Sequence, residues 1–268
     1  MQIPISYLFV PGNRPERFDK AVRTDADAVI IDLEDAVPVH AKDQARTQLH
    51  AWLQNTSQAV IVRINSYDTP WFNDDLLACA HPMVSAIMVP KAQAVEQLTA
   101  CAKAAPQAQL LPLIETAIGF ASLKEIASAP HVARLAFGSI DFQLDLGIDD
   151  ENEGLLFFRS RLVYLSKLYE LAAPIDGVSV EINDSDRVRA DAERSKRLGF
   201  GAKLCIHPAQ IAAIHAGFCP TQKELLWARR IIERCEGGQE DTYMLDGKMI
   251  DKPVISRARA LVKQARSQ

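Results

Sequence analysis

The chain has 268 residues, 48% of them hydrophobic and 24% charged, which suits one large globular domain or two small ones and excludes a disordered chain. A formal charge of −4 disfavours nucleic acid as a partner, and no apolar run reaches the roughly 18 residues of a membrane span. The start has no signal-peptide pattern, and the five cysteines are scattered without a CxxC. We therefore expect a cytoplasmic enzyme or small-molecule binder, with neither nucleic acid nor a membrane as partner.

Eight short apolar runs recur along the chain, and their ends are 23 to 40 residues apart. Each run is apolar at successive positions rather than at alternating ones, which is typical of strands buried on both faces. The runs are Ile5–Val10, Ala28–Leu33, Val60–Ile64, Ala86–Val89, Leu110–Ile114, Leu135–Ile140, Gly177–Val180 and Lys203–Ile206. Helical patterns lie between them, at Arg14–Val22, Asp43–Leu53, Val95–Ala104, Gly154–Leu171 and Asp186–Leu198.

This alternation predicts an α/β fold, a (β/α)8 TIM barrel, because each interval holds one strand, one helix and two short loops. A doubly wound open sheet is the alternative. It is less favoured because eight regular units are present, and because Pro11–Gly12–Asn13 has only one of the glycines of a dinucleotide-binding turn.

The pattern changes near residue 221, so we expect a barrel catalytic domain over 1–220 and a helical extension over 221–268. A helix is predicted at Gln222–Cys235, broken by Gly237–Gly238. Tyr243–Ile250 surrounds an Asp-Gly turn, and a last helix is predicted at Pro253–Ala265. Barrel closure does not need this tail, so we expect it to pack on a neighbouring subunit.

Acidic residues follow the apolar runs at four of the eight predicted strand ends. They are Glu34–Asp35, Glu115, Asp141 and Glu181. The carboxyl ends of barrel strands form the active-site face, and charged residues seldom adjoin apolar runs unless they are paired or bind something. This concentration of acids predicts a catalytic site at that face.

Glu115 and Asp141 follow successive predicted strands, which are neighbours in a barrel. Two carboxylates this close repel each other, and a divalent cation between them removes the repulsion. Two protein carboxylates together with waters and substrate oxygens are a usual way of holding Mg2+. The alternative is that each carboxylate caps a helix or pairs with a lysine.

Arg63 lies inside the run Val60–Ile64. Its guanidinium could bind a substrate carboxylate or stabilise a developing enolate oxygen. The alternative is a structural arginine paired with Glu34 or Asp35, and the two interpretations are compatible. Glu34 and Asp35 are interpreted as partners of Arg63 or of metal-bound waters, and Asp32 as a satisfied structural acid.

Several other polar residues follow predicted strands. Arg14, Arg17 and Lys20 follow the first strand and could contact phosphates of a large substrate, although a solvated helix face is the commoner role. His207 is interpreted as structural. Lys91 could form a Schiff base, which we rank below the metal hypothesis.

A series of motifs carries a family resemblance. They occur in order at Leu8–Glu16, Ile31–Val37, Val62–Asn65, Met88–Lys91, Leu113–Thr116, Phe137–Asp141, Cys205–Pro208 and Gly247–Pro253. Together they resemble the citrate lyase β-subunit-like branch of the HpcH/HpaI aldolase superfamily. The resemblance runs from Tyr7 to Ala260, which is nearly the whole chain.

This resemblance implies a Mg2+-dependent barrel lyase that splits a β-hydroxyacyl-CoA, of the malyl-CoA or citramalyl-CoA type, into acetyl-CoA and a 2-oxo acid. The family's metal carboxylates match Glu115 and Asp141, and its substrate contacts match Arg63 and Glu115. Its aspartate from a neighbouring subunit matches Asp251, which implies a homotrimer or a hexamer.

In the implied mechanism Arg63 stabilises oxygen charge and Asp251 transfers a proton at the acetyl carbon, while Glu34 and Asp35 hold waters and Arg63 in place. We expect Arg14 and Lys20 to contact the coenzyme. Three alternatives stay open. They are a citrate lyase β subunit acting on a citryl-acyl carrier protein, a non-catalytic acyl-CoA binder, and a metal-dependent aldolase for small hydroxy-oxo acids.

Overall fold

A computed structural model describes residues 3–236 and 242–266. The chain divides into two compact units, one over Ile3–Gly217 and one that begins at Phe218. Each unit has its own hydrophobic cluster and is described by itself.

The first unit is built on eight parallel strands that close into a barrel in chain order. They are β1 Ser6–Pro11, β2 Ala28–Asp32, β3 Val60–Arg63, β4 Val84–Val89, β5 Gln109–Ile114, β6 Arg134–Phe137, β7 Ala172–Asp176 and β8 Ala202–Cys205. Strand β1 pairs with β2 on one side, and through Tyr7 and Leu204 it pairs with β8 on the other. The closure confirms the predicted TIM barrel and excludes the open sheet.

Helices fill the intervals between the strands. They are α1 Phe18–Val22, α2 Lys42–Leu53, α3 Phe72–Cys79, α4 Val95–Ala104, α5 Ala117–Ala121, α6 Leu123–Ala127, α7 Ser139–Leu146, α8 Leu156–Leu168, α9 Ser185–Leu198 and α10 Ile211–Phe218. Short 3-10 turns precede α1, α2 and α10. The predicted Val95–Ala104 helix matches α4 at both ends.

Apolar side chains from all eight strands fill the interior of the barrel. The cluster comprises Tyr7, Ile30, Ile61, Ala86, Met88, Leu111, Leu113, Ala136, Ile175, Ala202 and Leu204. These residues alternate along their strands with others that face the surrounding helices, so both faces of the sheet are buried. The runs of successive apolar residues in the sequence are therefore explained.

The seventh strand was predicted in the wrong place. It spans Ala172–Asp176, whereas the sequence pattern indicated Gly177–Val180. The apolar pattern did not reveal this strand because charged residues are buried around its end. Asp176 ends the strand and pairs with Arg159 at 3.0 Å, and Lys203 Nζ donates to the carbonyl of Gly177 at 2.7 Å. Glu181, predicted to be the acid at this strand end, lies instead in the exposed loop before α9.

Strand β6 is shorter than predicted and ends at Phe137 instead of Ile140. Gly138 is the N-cap of α7, which begins at Ser139. Asp141 therefore lies in the first turn of a helix rather than at a strand end. The loop and helix start bring it to the same face of the barrel, because they follow the carboxyl end of β6.

The second unit contains α11 Gln222–Glu236, the antiparallel strands β9 Tyr243–Leu245 and β10 Lys248–Ile250, and α12 Lys252–Arg266. Asp246 and Gly247 form the turn of the hairpin, both at positive φ, as the Asp-Gly pair predicts. The predicted helix break at Gly237–Gly238 lies outside the described residues. Among the described residues, no helix is long and apolar enough to cross a bilayer.

Candidate active site

A cavity of about 400 Å3 opens at the carboxyl ends of the barrel strands. Its lining includes Asp32, Asp35, Arg63, Glu115 and Asp141. These residues come from or follow β2, β3, β5 and β6, so elements that are distant in sequence converge only because the barrel is closed. Four of the five were predicted as site residues, and the fifth, Asp32, was predicted as a structural acid.

The turn after β2 is held by hydrogen bonds to its own first acid. Asp32 accepts from the backbone N–H of Glu34 at 2.9 Å and from that of Ala36 at 3.0 Å. Lys42, at the start of α2, is buried and donates to the carbonyls of Leu33 at 2.9 Å and Glu34 at 2.7 Å. Sequence reasoning missed Lys42, because no spacing signal marks a buried lysine at a helix start.

Arg63 is buried at the end of β3, and its main partner is Asp32. Nε donates to Oδ1 at 2.7 Å and Nη2 donates to Oδ2 at 2.6 Å, a two-pronged pair. The ring of Phe9 lies 4.7 Å from the guanidinium carbon. Burial opposes the charged form, but Asp32, Glu34 and Asp35 together outweigh it, so the pKa of Arg63 lies above its ordinary value. Arg63 is therefore a fixed cation with its remaining donors directed toward two further acids.

Those two acids are Glu34 and Asp35, both within ion-pairing distance of Nη1 of Arg63. Glu34 Oε2 lies 3.2 Å away and Asp35 Oδ2 lies 3.5 Å away. Glu34 is buried and accepts from the hydroxyl of Ser66 at 3.2 Å, while the side chain of Asp35 is 64% exposed. Burial raises the pKa of Glu34 to about 7, against the opposing pull of Arg63. The predicted pairing of Arg63 with Glu34 and Asp35 is present, but both contacts are longer than the contact between Arg63 and Asp32.

Glu115 directly follows β5 and is buried. Its Oε1 accepts from the backbone N–H of Lys91 at 2.7 Å, and Lys91 has the unusual φ of +44° that points this N–H at the carboxylate. Burial, followed by the charge of Glu34, raises the pKa of Glu115 to about 8. Lys91 thus contributes through its backbone, and its side chain is exposed.

Gly138 packs directly on Glu115. A Cβ at this position would lie 2.5 Å from Oε2 and 2.6 Å from Cβ of Glu115. No other residue fits here without moving the carboxylate, since these distances are well below van der Waals contact. The loop between β6 and α7 therefore fixes where Glu115 points.

Asp141 projects into the cavity from α7. Its pKa is raised by partial burial and by the charge of Asp35, and its own charge in turn raises the pKa of Glu115. No cluster of three or more His, Cys, Asp or Glu side chains at metal-binding spacing occurs within 3–236 and 242–266. Two mutually repelling carboxylates with room for water suit a cation that keeps several waters, as Mg2+ does. The residues present therefore fit that ion.

Two further predicted site residues of the first unit, Arg14 and Lys20, are not part of the cavity lining. Arg14 is exposed between β1 and α1 and pairs with Glu16 at 2.7 Å, and Lys20 is exposed on α1. Asp251 precedes α12 in the second unit and accepts from the backbone N–H of Val254 at 3.2 Å. His207 caps the turn before α10 by accepting from the N–H of Ala209, which agrees with a structural role.

Comparisons with known proteins agree with this geometry. A family model described as HpcH/HpaI aldolase/citrate lyase matches residues 6–208. The chain is 36% identical to the "Citrate lyase subunit beta-like protein" of Deinococcus radiodurans, over 96% of this chain and 95% of that protein. It is 33% identical to the "(3S)-malyl-CoA thioesterase" of Cereibacter sphaeroides, over 97% of this chain and 94% of that protein.

A solved structure has the same fold over the whole chain. It is the CitE protein of Mycobacterium tuberculosis in complex with magnesium, acetoacetate and coenzyme A, with a TM-score of 0.86, 29% identity and 98% of each chain covered. The barrel with its acidic cavity, together with these similarities, defines a (β/α)8-barrel enzyme of the lyase class. The chain belongs to the HpcH/HpaI aldolase/citrate lyase family.

Proposed function

We propose that this enzyme is a Mg2+-dependent lyase that splits a β-hydroxyacyl-CoA into acetyl-CoA and a 2-oxo acid. The observation that carries the proposal is the convergence of two buried or half-buried carboxylates, Glu115 and Asp141, with the fixed cation Arg63 around one cavity. The magnesium, oxo acid and coenzyme A bound together by the M. tuberculosis CitE protein support it.

Glu115 and Asp141 would hold the metal. When bound, Mg2+ supplies Lewis-acid polarisation of the oxygens that become the carbonyl and carboxylate of the 2-oxo acid. The pKa of Glu115, raised to about 8 without a cation, is one that a bound cation would lower. Gly138 and the N–H of Lys91 keep the carboxylate of Glu115 in place for that role.

In the cleavage direction a base accepts the proton of the β-hydroxyl, and the bond between the carbinol carbon and the acyl α-carbon breaks. The electron pair passes to the thioester as an enolate, which a proton at the α-carbon converts to acetyl-CoA. Arg63 would stabilise the negative charge that develops on oxygen as the bond breaks. Asp32 fixes the orientation of Arg63, and Glu34 and Asp35 also pair with it. The two acids would in addition hold waters near the substrate. Arg14 and Lys20 are proposed contacts of the coenzyme phosphates.

Asp251 is the proposed proton donor at the acetyl carbon, contributed by a neighbouring subunit of a homotrimer or hexamer. Mixing Asp251→Asn subunits with Arg63→Ala subunits tests this sharing. Each variant alone is expected to be nearly inactive, and mixed oligomers should recover activity at the sites that combine the two intact residues. Mixed oligomers without recovery would contradict it.

A second candidate function is hydrolysis of the thioester, favoured by the similarity to the (3S)-malyl-CoA thioesterase of C. sphaeroides. Water would then attack the thioester carbonyl, and the products would be free CoA and a hydroxy acid. A third is cleavage of a citryl-acyl carrier protein, favoured by the citrate lyase β-like relative. All three use an acyl thioester, and they differ in which bond breaks and what carries the acyl group.

Product analysis separates these functions. The purified enzyme is given malyl-CoA and citramalyl-CoA with Mg2+ or with EDTA, and acetyl-CoA, 2-oxo acid and free CoA are quantified. Metal-dependent acetyl-CoA with an equal amount of 2-oxo acid supports the lyase, and Arg63→Ala should lower its kcat by roughly 10²–10³. Free CoA with a hydroxy acid identifies the thioesterase. Activity confined to citryl-acyl carrier protein identifies the third function.

A further inference from the structure

Two loops of the active-site face have little backbone structure of their own. In the loop after β7, the backbone of residues 178–183 makes no hydrogen bond to another backbone group of the described chain. The loop after β8 leads directly into the 3-10 turn at Pro208–Gln210. Each loop contributes one residue to the described lining of the cavity, Val178 from the first and Ile206 from the second. Side-chain contacts must therefore fix where these two lining residues lie.

Gln210 joins the two loops through its side-chain amide. The residue is only 1% exposed, and its Oε1 accepts from the backbone N–H groups of Ile206 at 2.9 Å and His207 at 3.3 Å. Its Nε2 donates to the carbonyls of Ser179 at 2.8 Å and Glu181 at 2.9 Å. All four partners are backbone groups, so their chemistry fixes which end of the amide is oxygen. We call this set of four bonds the Gln210 clamp.

The other side-chain contacts of these loops hold only one of them. Lys203 Nζ donates to the carbonyl of Gly177, at the start of the loop after β7, at 2.7 Å. The hydroxyl of Ser179 donates to Asp191 of α9 at 2.8 Å. Within the described chain, Gln210 is the one side chain that bonds to both loops. Its removal would leave four backbone groups without their partners, which costs free energy unless the loops move to reach water.

We propose that Gln210 is a positioning residue, which holds the loops after β7 and β8 together as one preformed wall of the cavity. It does not line the cavity and acts through the backbone of Val178 and Ile206, the residues that do. A preformed wall binds a substrate without the cost of ordering two loops. The kinetic consequence rests on the proposed function for the identity of the substrate, whereas the clamp itself belongs to the fold.

Two substitutions of Gln210 release different parts of the clamp. Gln210→Met is similar in length and makes none of the four bonds. Gln210→Glu keeps an acceptor for the N–H groups of Ile206 and His207, but it loses both donors and brings a carboxylate against two carbonyls. We therefore expect Gln210→Met to free both loops and Gln210→Glu to free only the loop after β7.

Hydrogen exchange of the full-length enzyme, followed by mass spectrometry, measures this release. In Gln210→Met, exchange should become roughly tenfold faster or more in residues 178–183 and at residues 206–207. In Gln210→Glu the acceleration should be confined to residues 178–183. Exchange at the wild-type rate in both loops of Gln210→Met would overturn the clamp.

Steady-state kinetics and metal binding test the positioning role. In both variants the KM for the CoA ester that the wild type cleaves best should rise roughly tenfold or more. The kcat and the calorimetric Mg2+ affinity should change by less than about threefold, because other strands hold Arg63, Glu115 and Asp141. An unchanged KM with faster loop exchange would leave a structural role only and overturn the proposal. A loss of Mg2+ affinity as large as the rise in KM would overturn it too, since the whole cavity would then be disturbed.

The matched control is Gln107→Met, at the opposite end of the barrel. Gln107 Nε2 donates to the carbonyls of Cys79 at 3.1 Å and His81 at 3.4 Å, so this substitution also removes an amide that joins two segments. Exchange in residues 178–183 and the KM should stay at their wild-type values. If Gln107→Met raises the KM as much as Gln210→Met does, the effect reflects a general loss of stability and the proposal is wrong.

The same assays separate the clamp from the proposed function. A wild-type enzyme that binds malyl-CoA without splitting it contradicts the lyase function alone. The clamp is then judged by the Kd of malyl-CoA, which should rise in the Gln210 variants in place of the KM. A lyase whose KM is unchanged in both Gln210 variants contradicts the positioning role alone. A wild-type enzyme that neither binds nor cleaves malyl-CoA or citramalyl-CoA contradicts both.

Discussion

Asp32 and Arg63 form a buried two-pronged ion pair across the adjacent strands β2 and β3, with both N–O distances at or below 2.7 Å. They are partners in the register of these strands, so the pairing of the backbones sets the pairing of the side chains. The same carboxylate caps two backbone N–H groups of the turn that carries Glu34 and Asp35. One residue therefore fixes both the cation and the acids around it.

Replacing Asp32 by Asn should disturb stability and activity together. Asn keeps the size of the side chain but removes the charge that compensates buried Arg63, and breaking a buried pair costs about 3–5 kcal/mol. Urea unfolding with a parallel kcat/KM measurement checks this. The control is Asp43→Asn, whose carboxylate pairs with Arg46 at 3.1 Å but is 83% exposed, so the free energy of unfolding should change by less than about 0.5 kcal/mol. Equal effects of the two variants would contradict the special role of Asp32.

Gly138→Ala should act through Glu115. The new methyl group would overlap Cβ and Oε2 of Glu115, so the carboxylate must move and Mg2+ affinity should fall about 10–100-fold. Calorimetric titration with Mg2+ measures the loss. In the double variant with Glu115→Gln the two losses should not add, because both remove the same ligand. Additive losses would show that Gly138 affects the site by another route.

Lys42 is expected to hold the turn after β2. Lys42→Met removes two hydrogen bonds, those to the carbonyls of Leu33 and Glu34, and should lower the free energy of unfolding by about 2 kcal/mol. Displacement of the Glu34 and Asp35 side chains should also lower kcat. Lys103→Met, at an exposed position of α4, is the matched control for losing a lysine charge. A variant with wild-type kcat would contradict the positioning role and leave a purely structural one.

The opposite end of the barrel carries a pH-dependent contact. His215 on α10 lies 2.8 Å from the hydroxyl of Ser6 and 3.2 Å from the carboxylate of Asp27, and the bond to Asp27 raises the pKa of His215. The pKa of His215 in the folded protein lies above 6.5, its ordinary value in an unfolded chain. The contact therefore contributes its full stabilisation at pH values below 6.5. This contribution disappears as the pH rises through the folded pKa. Both groups are about one-third exposed, so we expect at most about 1 kcal/mol.

The measurement is the free energy of unfolding of the wild type and of His215→Asn between pH 5.5 and 8.5. The difference between the two should shrink as the pH rises. His50→Asn, at an exposed position of α2, is the control for the loss of a histidine side chain. A pH-independent difference for His215→Asn would contradict the assignment of this stabilisation to the contact between His215 and Asp27.

The barrel could be predicted from the sequence alone, because runs of successive apolar residues at regular intervals are typical of strands buried on both faces. The sequence also indicated Glu34, Asp35, Glu115 and Asp141, because acids directly after apolar runs fall near the carboxyl ends of the strands, and it indicated Arg63 as a charged residue inside a run. The same rule indicated Glu181, which lies instead in the exposed loop before α9. The position of strand β7 was predicted wrongly, because the strand ends in a buried charge. The charge of Asp176 is compensated by Arg159, which lies in a helix 17 positions earlier in the chain.

Which side chains pair with one another depends on the folded barrel. The register of β2 and β3 places Arg63 opposite Asp32, which is therefore its main partner rather than Glu34 or Asp35. The folded barrel also brings Gly138 and the backbone N–H of Lys91 against Glu115. It also gathers the apolar residues of β7, β8 and β1 on one side of the cavity. Periodicity along a chain reports which residues are buried, whereas the chemistry of a site depends on distances across strands, which only the folded barrel sets.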